Sequence, residues 1–197
     1  MLHYKRGSAP IVEVGVVRAD ARKNYEQLLA VAGVVVAEQG ADASLREVAR
    51  RAGVGLGTLY RHFPTREALL EALLHTNFDD LTGRAVDLES SDSPGSALLT
   101  WVQDCTRFTT TYHGVTQVMM SAIEDPESPL HTSCVALRTA GGRLLTRAQD
   151  AGVARTAMDG TDLFALIAGL AWLCDQPALA PRAEHLFDAI ARPALMR

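Results

Sequence analysis

The sequence predicts an all-α protein, and three observations carry that prediction. Apolar residues recur with a helical period along most of the chain. Capping and terminating residues flank those runs, and alternating apolar/polar strands between turns are absent. A hydrophobic share of 48% and a charged share of 21% over 197 residues fit a soluble globular chain able to bury a core. No internal repeat is evident.

Taken in order, Tyr25, Leu28, Leu29, Ala32 and Val36 form one stripe of a helix that Gln39-Gly40 ends. Ser44 opens Ser-Leu-Arg-Glu, the pattern of a capping box in which the Ser44 hydroxyl and the Glu47 carboxylate satisfy free amides. Leu45, Val48, Ala49 and Ala52 are that helix's inner face. Ala52-Gly53-Val54 reads as a tight break, and Leu56 to Phe63 as a second short helix stopped by Pro64. Thr65 caps a further helix with Ala68, Leu69, Ala72 and Leu73 inward, running to about Leu88. A loop over 90–95 follows, then a helix from Ser96 to Thr111, a break near His113-Gly114 and a short turn to Ile123. After a second loop at Asp125–Pro129, helices are expected over Leu130–Ala151, Thr161–Asp175 and Arg182–Arg192.

Two short helices joined by a three-residue turn containing Gly are what a helix-turn-helix requires. The inward positions Leu45, Val48, Ala49, Val54, Leu59 and Phe63 are all apolar, so the pair can pack on the helix bearing Leu28 and Leu29. Leu56, Gly57, Thr58, Tyr60, Arg61 and His62 face outward. A plain amphipathic hairpin would explain the apolar stripe equally well. It does not explain the missing acids: no Asp or Glu lies between Glu47 and Glu67, a stretch holding Arg50, Arg51, Arg61 and Arg66. The net charge of −4 is uneven, since residues 1–75 carry ten Lys/Arg and eight Asp/Glu. An acidic whole with a basic first third leaves room for a local nucleic-acid face.

Other chemistries find little support. Cys105, Cys134 and Cys174 are far apart and not in a metal-type spacing, which suits small buried hydrophobes in a reducing cytosol. Gly53-Val54-Gly55-Leu56-Gly57 follows a helix and lacks the third glycine of a dinucleotide fingerprint. No nucleophile–base pair or metal ligand set is apparent, so neither an enzyme nor a cofactor is expected. Glu13 interrupts the early apolar run, and Leu163–Cys174 is shorter than the ~20 residues of a membrane span. A cytoplasmic protein without membrane association is expected.

Leu45-Arg46-Glu47-Val48-Ala49-Arg50-Arg51-Ala52-Gly53-Val54, with Gly57-Thr58-Leu59-Tyr60-Arg61-His62-Phe63-Pro64-Thr65-Arg66-Glu67-Ala68-Leu69, resembles the DNA-binding domain of TetR-type (tetracycline-repressor-like) regulators. The resemblance runs without gaps from about Arg18 to Leu74. Beyond residue 80 it is architectural, several helices with the last two apolar. It implies an N-terminal three-helix helix-turn-helix domain over 18–75 and a C-terminal helical ligand-binding and dimerisation domain over 76–197. Residues 1–17 precede it, either as an arm whose Lys5 and Arg6 visit DNA or as an over-extended start.

The resemblance also implies roles. Gly57 and Thr58 would meet bases or nearby backbone, and Tyr60 would bond a phosphate through its hydroxyl. His62 would touch phosphate or a base edge, and Arg61 either. Arg66, where the family often has Lys, would hold a phosphate at a helix amino end. Ser44 and Arg46 would touch backbone from the first helix of the motif. Gly55 and Leu56 depart from the pattern. Leu56 either meets a thymine methyl or is partly buried.

Phe78, Trp101, Cys105, Phe108, Met119, Met120, Phe164 and Trp172 read either as ordinary core or as the lining of a pocket for an apolar effector. The stretch Leu163–Cys174 is apolar nearly all round and needs burial on every side. Its Leu163, Leu166, Ile167 and Leu170, with Leu186, Phe187 and Ile190, form a candidate two-fold dimer interface, burial within one subunit being the alternative. The expected whole is a homodimeric repressor on a palindromic DNA operator, released by a small-molecule effector. An activator of the same fold is the alternative, or a helical ligand-binding protein without DNA function.

Overall fold

A computed structural model describes residues 11–112 and 114–197, with side chains from Arg22 onward except at 117. Among the described residues the chain is helical without a β-strand: α1 (Ile11–Gln39), α2 (Leu45–Arg51), α3 (Leu56–His62), α4 (Arg66–Leu88), α5 (Pro94–Thr111), α6 (Val115–Glu124), α7 (His131–Asp150) and α8 (Gly160–Asp175). A 3₁₀ turn at Ala180–Arg182, α9 (Ala183–Leu186), a π turn at Phe187–Ala191 and α10 (Arg192–Leu195) complete it.

The apolar residues sort into two cores. The first joins Leu28, Ala32, Val35 and Val36 of α1 to Val48, Ala49, Leu59 and Phe63, and to Leu69, Leu70 and Leu73 of α4. The second is built from α4 to α8 around Phe78, Trp101, Leu137, Leu144, Leu163 and Leu170, with Phe187 and Leu195 closing it. Helix α4 serves both, because Leu74, Phe78 and Ala85 lie further along the same helix in the second core. Tyr112 packs against both cores at the end of α5. The α7 backbone comes close to α5: the Trp101 indole lies on Gly141, where a Cβ would collide with it. Its Nε1 donates to the Leu81 carbonyl at 2.9 Å, satisfying the buried N–H.

Several local expectations need correction. Helix α1 begins at Ile11, so residues 11–17 of the expected arm are helical, while Lys5 and Arg6 lie outside the described residues. Ser44 makes no side-chain cap bond. Glu47 is taken instead by Arg50 (2.8 and 2.6 Å) and Arg51 (2.7 Å), charged donors that outcompete a neutral amide. The short turn before Ile123 is the ten-residue helix α6. A capping box does form at α8: the Asp159 carboxylate accepts from Thr161 and Asp162 amides, and Asp162 accepts from the Asp159 amide. The last helix is not continuous. Pro193 has no amide hydrogen for the carbonyl four residues back, and the Arg192 amide bonds Phe187 five residues back. Thr65 caps α4 as expected, its hydroxyl accepting from the Ala68 amide at 3.1 Å.

Candidate nucleic-acid interface

Helix α2 ends at Ala52, and Gly53 takes a φ of +67°, a left-handed turn that non-glycine residues rarely adopt. Its amide bonds the Arg50 carbonyl, and the Val54 amide bonds Ala49. From α1, Gln27 Nε2 donates to the Ala52 carbonyl at 2.8 Å, fixing the turn to the helix beneath it. Leu59 and Phe63 are buried, so α3 lies on the head with one face fixed.

The opposite face of α3 presents Gly57, Tyr60 and Arg61 to solvent, with Thr58 and His62 half-buried at its margins. Tyr60 is 45% exposed. Among the described residues, and apart from the helix's own backbone and its chain neighbours, nothing lies within 4 Å of where a Gly57 Cβ would be. Glycine within a helix costs about 1 kcal/mol against alanine, so no contact inside this subunit accounts for it. Leu56 is half-buried and packs against the head core, the second of its two readings. Ser44 and Arg46 are exposed at the start of α2.

Tyr25 is an inner-face residue only in part. It is 36% exposed, and its ring meets Phe63 at 5.1 Å and the edge of His62 at 6.0 Å between centroids. That contact braces the imidazole at the end of α3, a neighbour that helix periodicity alone did not reveal.

Much of the head's positive charge is internally matched. Arg50 and Arg51 converge on Glu47, and Arg51 also reaches Glu38 at 2.7 Å. Bonding by Arg50 and then Arg51 holds the Glu47 carboxyl down at about 2, far below its ordinary range. Arg66 bonds Asp42 at 2.9 Å. Among the described residues Arg46 and Arg61 carry no ion pair, so they are the cations of the motif open to an incoming polyanion.

The second core holds most of the candidate pocket residues in close packing. Phe78, Trp101, Cys105 and Phe108 are buried, with Phe78 edge-on to Phe108 at 5.7 Å. Met119, Met120 and Phe164 come together with Thr109, Thr116, Ile167 and Ala168 around a small recess of about 10 Å³, room for no more than one water, between α5, α6 and α8. The Thr116 hydroxyl in its wall is buried without a hydrogen-bond partner among the described residues. Trp172 lies apart from these, 59% exposed on the outer face of α8. Burial has raised the thiols of Cys105, Cys134 and Cys174.

Of the candidate interface residues, Leu163, Ile167, Leu170 and Phe187 are buried in the subunit's own core. Leu166 and Leu186 are half-buried, and Ile190 is 39% exposed. The apolar surface on α8 is instead the strip of Ala165, Gly169 and Trp172. No helix among the described residues is long and apolar enough to cross a membrane.

A helix-turn-helix on a three-helix head, carried by a helical body, defines a DNA-binding transcriptional regulator. Residues 28–73 match the family described as bacterial regulatory proteins, tetR family. Residues 93–192 match the one described as transcriptional regulator SbtR-like, C-terminal domain. A TetR transcriptional regulator from Streptomyces coelicolor has a similar structure at 33% identity. The likeness covers 87% of this chain and 98% of that one, with a TM-score of 0.66. A TetR transcription regulatory protein from Mycobacterium vanbaalenii is similar at 29% identity over 92% and 99% of the two chains, with a TM-score of 0.65. The chain belongs to the TetR family of bacterial transcriptional regulators. The HTH-type transcriptional repressor KstR2 of Rhodococcus jostii is 34% identical over 74 residues, 37% of this chain and 36% of that protein. The match thus spans about a third of that curated relative's length.

Proposed function

We propose that the chain is a repressor that binds a palindromic operator as a homodimer and is released by a small-molecule effector. The observation that carries this reading is α3. One face is buried through Leu59 and Phe63, and the other offers Gly57, Thr58, Tyr60 and Arg61 without an acid among them. Such a helix can enter a major groove, with Gly57 allowing close approach, Tyr60 and Arg61 reaching phosphate or base edges, and His62 supported by Tyr25. Ser44 and Arg46 would meet the backbone from α2, and Arg66 from the start of α4. The half-buried Leu56 would offer at most its edge to a thymine methyl.

The head is taken as residues 18–75 and the effector and dimerisation body as 76–197, with α4 crossing from one to the other. The exposed apolar strip of Trp172, Gly169 and Ala165 would meet its own copy across a two-fold axis, with the exposed Ile190 as a further candidate contact. Two heads so joined would read half-sites about one helical turn apart. An apolar effector would enlarge the recess beside Met119, Met120 and Phe164, the buried Thr116 hydroxyl giving it one polar partner. Release requires that this ligand bind more tightly to a dimer whose heads are wrongly spaced. The repressor sense is supported by the Rhodococcus relative, itself described as a repressor. Such a protein would work in the cytoplasm. Deleting the gene while reading expression of its neighbours tests the sense: a rise supports repression, and a fall indicates an activator.

A further inference from the structure

Arg66 is the first residue of α4, a helix of 23 residues whose amino end is capped by Thr65. Its Nη1 bonds Oδ1 of Asp42 at 2.9 Å, while Glu67 stands at 3.7 Å from its Nε. Asp42 belongs to the α1–α2 connection, 24 residues away in sequence. Its side chain is 93% exposed, and among the described residues Arg66 is its bonding partner. The connection rests on the body, because Ala41 and Asp42 line one groove with Gly114, Val118, Ser121, Ala122, Asp125 and Ser128.

We propose that Asp42 limits how tightly the head holds DNA, by giving Arg66 a carboxylate in the position a backbone phosphate would take. This rests on the DNA-binding reading above. A guanidinium bonds carboxylate and phosphate with the same donors, so a phosphate approaching Arg66 Nη1 competes with Asp42, and a bidentate phosphate contact through that nitrogen displaces it. Because the pair is exposed, the displacement is a modest exchange that tunes affinity without blocking binding. Asp42 is therefore a positioning residue that acts through Arg66.

The test measures binding of fluorescent duplexes, one from the chain's own upstream region and one of unrelated sequence, at low salt. Asp42→Asn is expected to tighten both by about two- to fivefold per head, the range an exposed ion pair commands. In an Arg66→Gln background the same substitution is expected to change nothing, while Arg66→Lys should restore part of the gain. Asp150→Asn removes one negative charge at the end of α7 away from the head and controls for net charge. Thermal melting confirms that each variant is folded. Wild-type binding with no gain in Asp42→Asn overturns the proposal alone, as does a gain that persists without Arg66. No binding by the wild-type chain overturns the reading beneath it, and the proposal with it.

Discussion

Glu47 accepts from Arg50 through both carboxylate oxygens, at 2.8 and 2.6 Å, one turn apart on α2. The same carboxylate takes Arg51, so the two arginines nearest the turn are committed within the head. The exposed, acid-free face expected of the motif is thus narrower than its arginine count suggests.

The carboxyl of Glu47 is held at about 2, below the ~4.3 of an unstructured glutamate. A depressed folded value means that its contribution is fully present above the unfolded value and is lost as pH falls through the folded one. Titration followed by NMR at the Glu47 side chain should therefore show a midpoint near 2. A midpoint near 4.3 would mean that the bonds are not held in solution.

Glu47→Gln should free Arg50 for phosphate, while Arg51 keeps its bond to Glu38. Affinity for a non-specific duplex is expected to rise, and the slope of log K against log salt to steepen by up to about 1. Anisotropy at several salt concentrations reads both, and an unchanged slope would place Arg50 away from DNA.

Gly57→Ala separates helix stability from binding. The free protein should gain up to about 1 kcal/mol, because an added methyl meets nothing within 4 Å. DNA binding should weaken about tenfold if the backbone of α3 lies close to the duplex. A more stable protein with undiminished binding would exclude close approach at this position.

The body depends on Trp101 fitting over Gly141. Gly141→Ala drives a methyl into the indole and is expected to cost about 1–3 kcal/mol. Gly169→Ala, in open space inside α8, should instead stabilise a monomeric sample by up to about 1 kcal/mol and raise its thermal midpoint.

Trp172 provides the test of the dimer. With 59% of its surface exposed beside Gly169, Trp172→Arg should raise the dimer dissociation constant by about thirtyfold or more. Sedimentation velocity over a dilution series measures it. A variant that dimerises like the wild type would move the interface elsewhere.

Local chemistry made much of this legible in the sequence. The helix stop at Gly40, the turn at Gly53 and the Thr65 cap each depend on residues within four positions, and they form. The Ser44–Glu47 box failed although its spacing was right, because arginines three and four residues beyond Glu47 compete for one carboxylate. The Asp159–Asp162 box escaped notice because its third helical position holds Asp in place of the usual Glu or Gln. A helix apolar all round, such as α8, carries no period to say which side faces its own core, so Leu163 and Trp172 could not be told apart. The pairs Tyr25–His62, Asp42–Arg66 and Trp101–Gly141 join elements distant in sequence, and no local pattern encodes them.

In the proposed complex α3 reads DNA in the major groove of a two-fold site. Footprinting of the chain's own upstream duplex, with wild type beside Tyr60→Phe and Arg61→Ala, tests it most directly. Two protected half-sites about one turn, ~34 Å, apart are expected, with both variants binding more weakly. No protection at low salt, or protection indifferent to both substitutions, would contradict it.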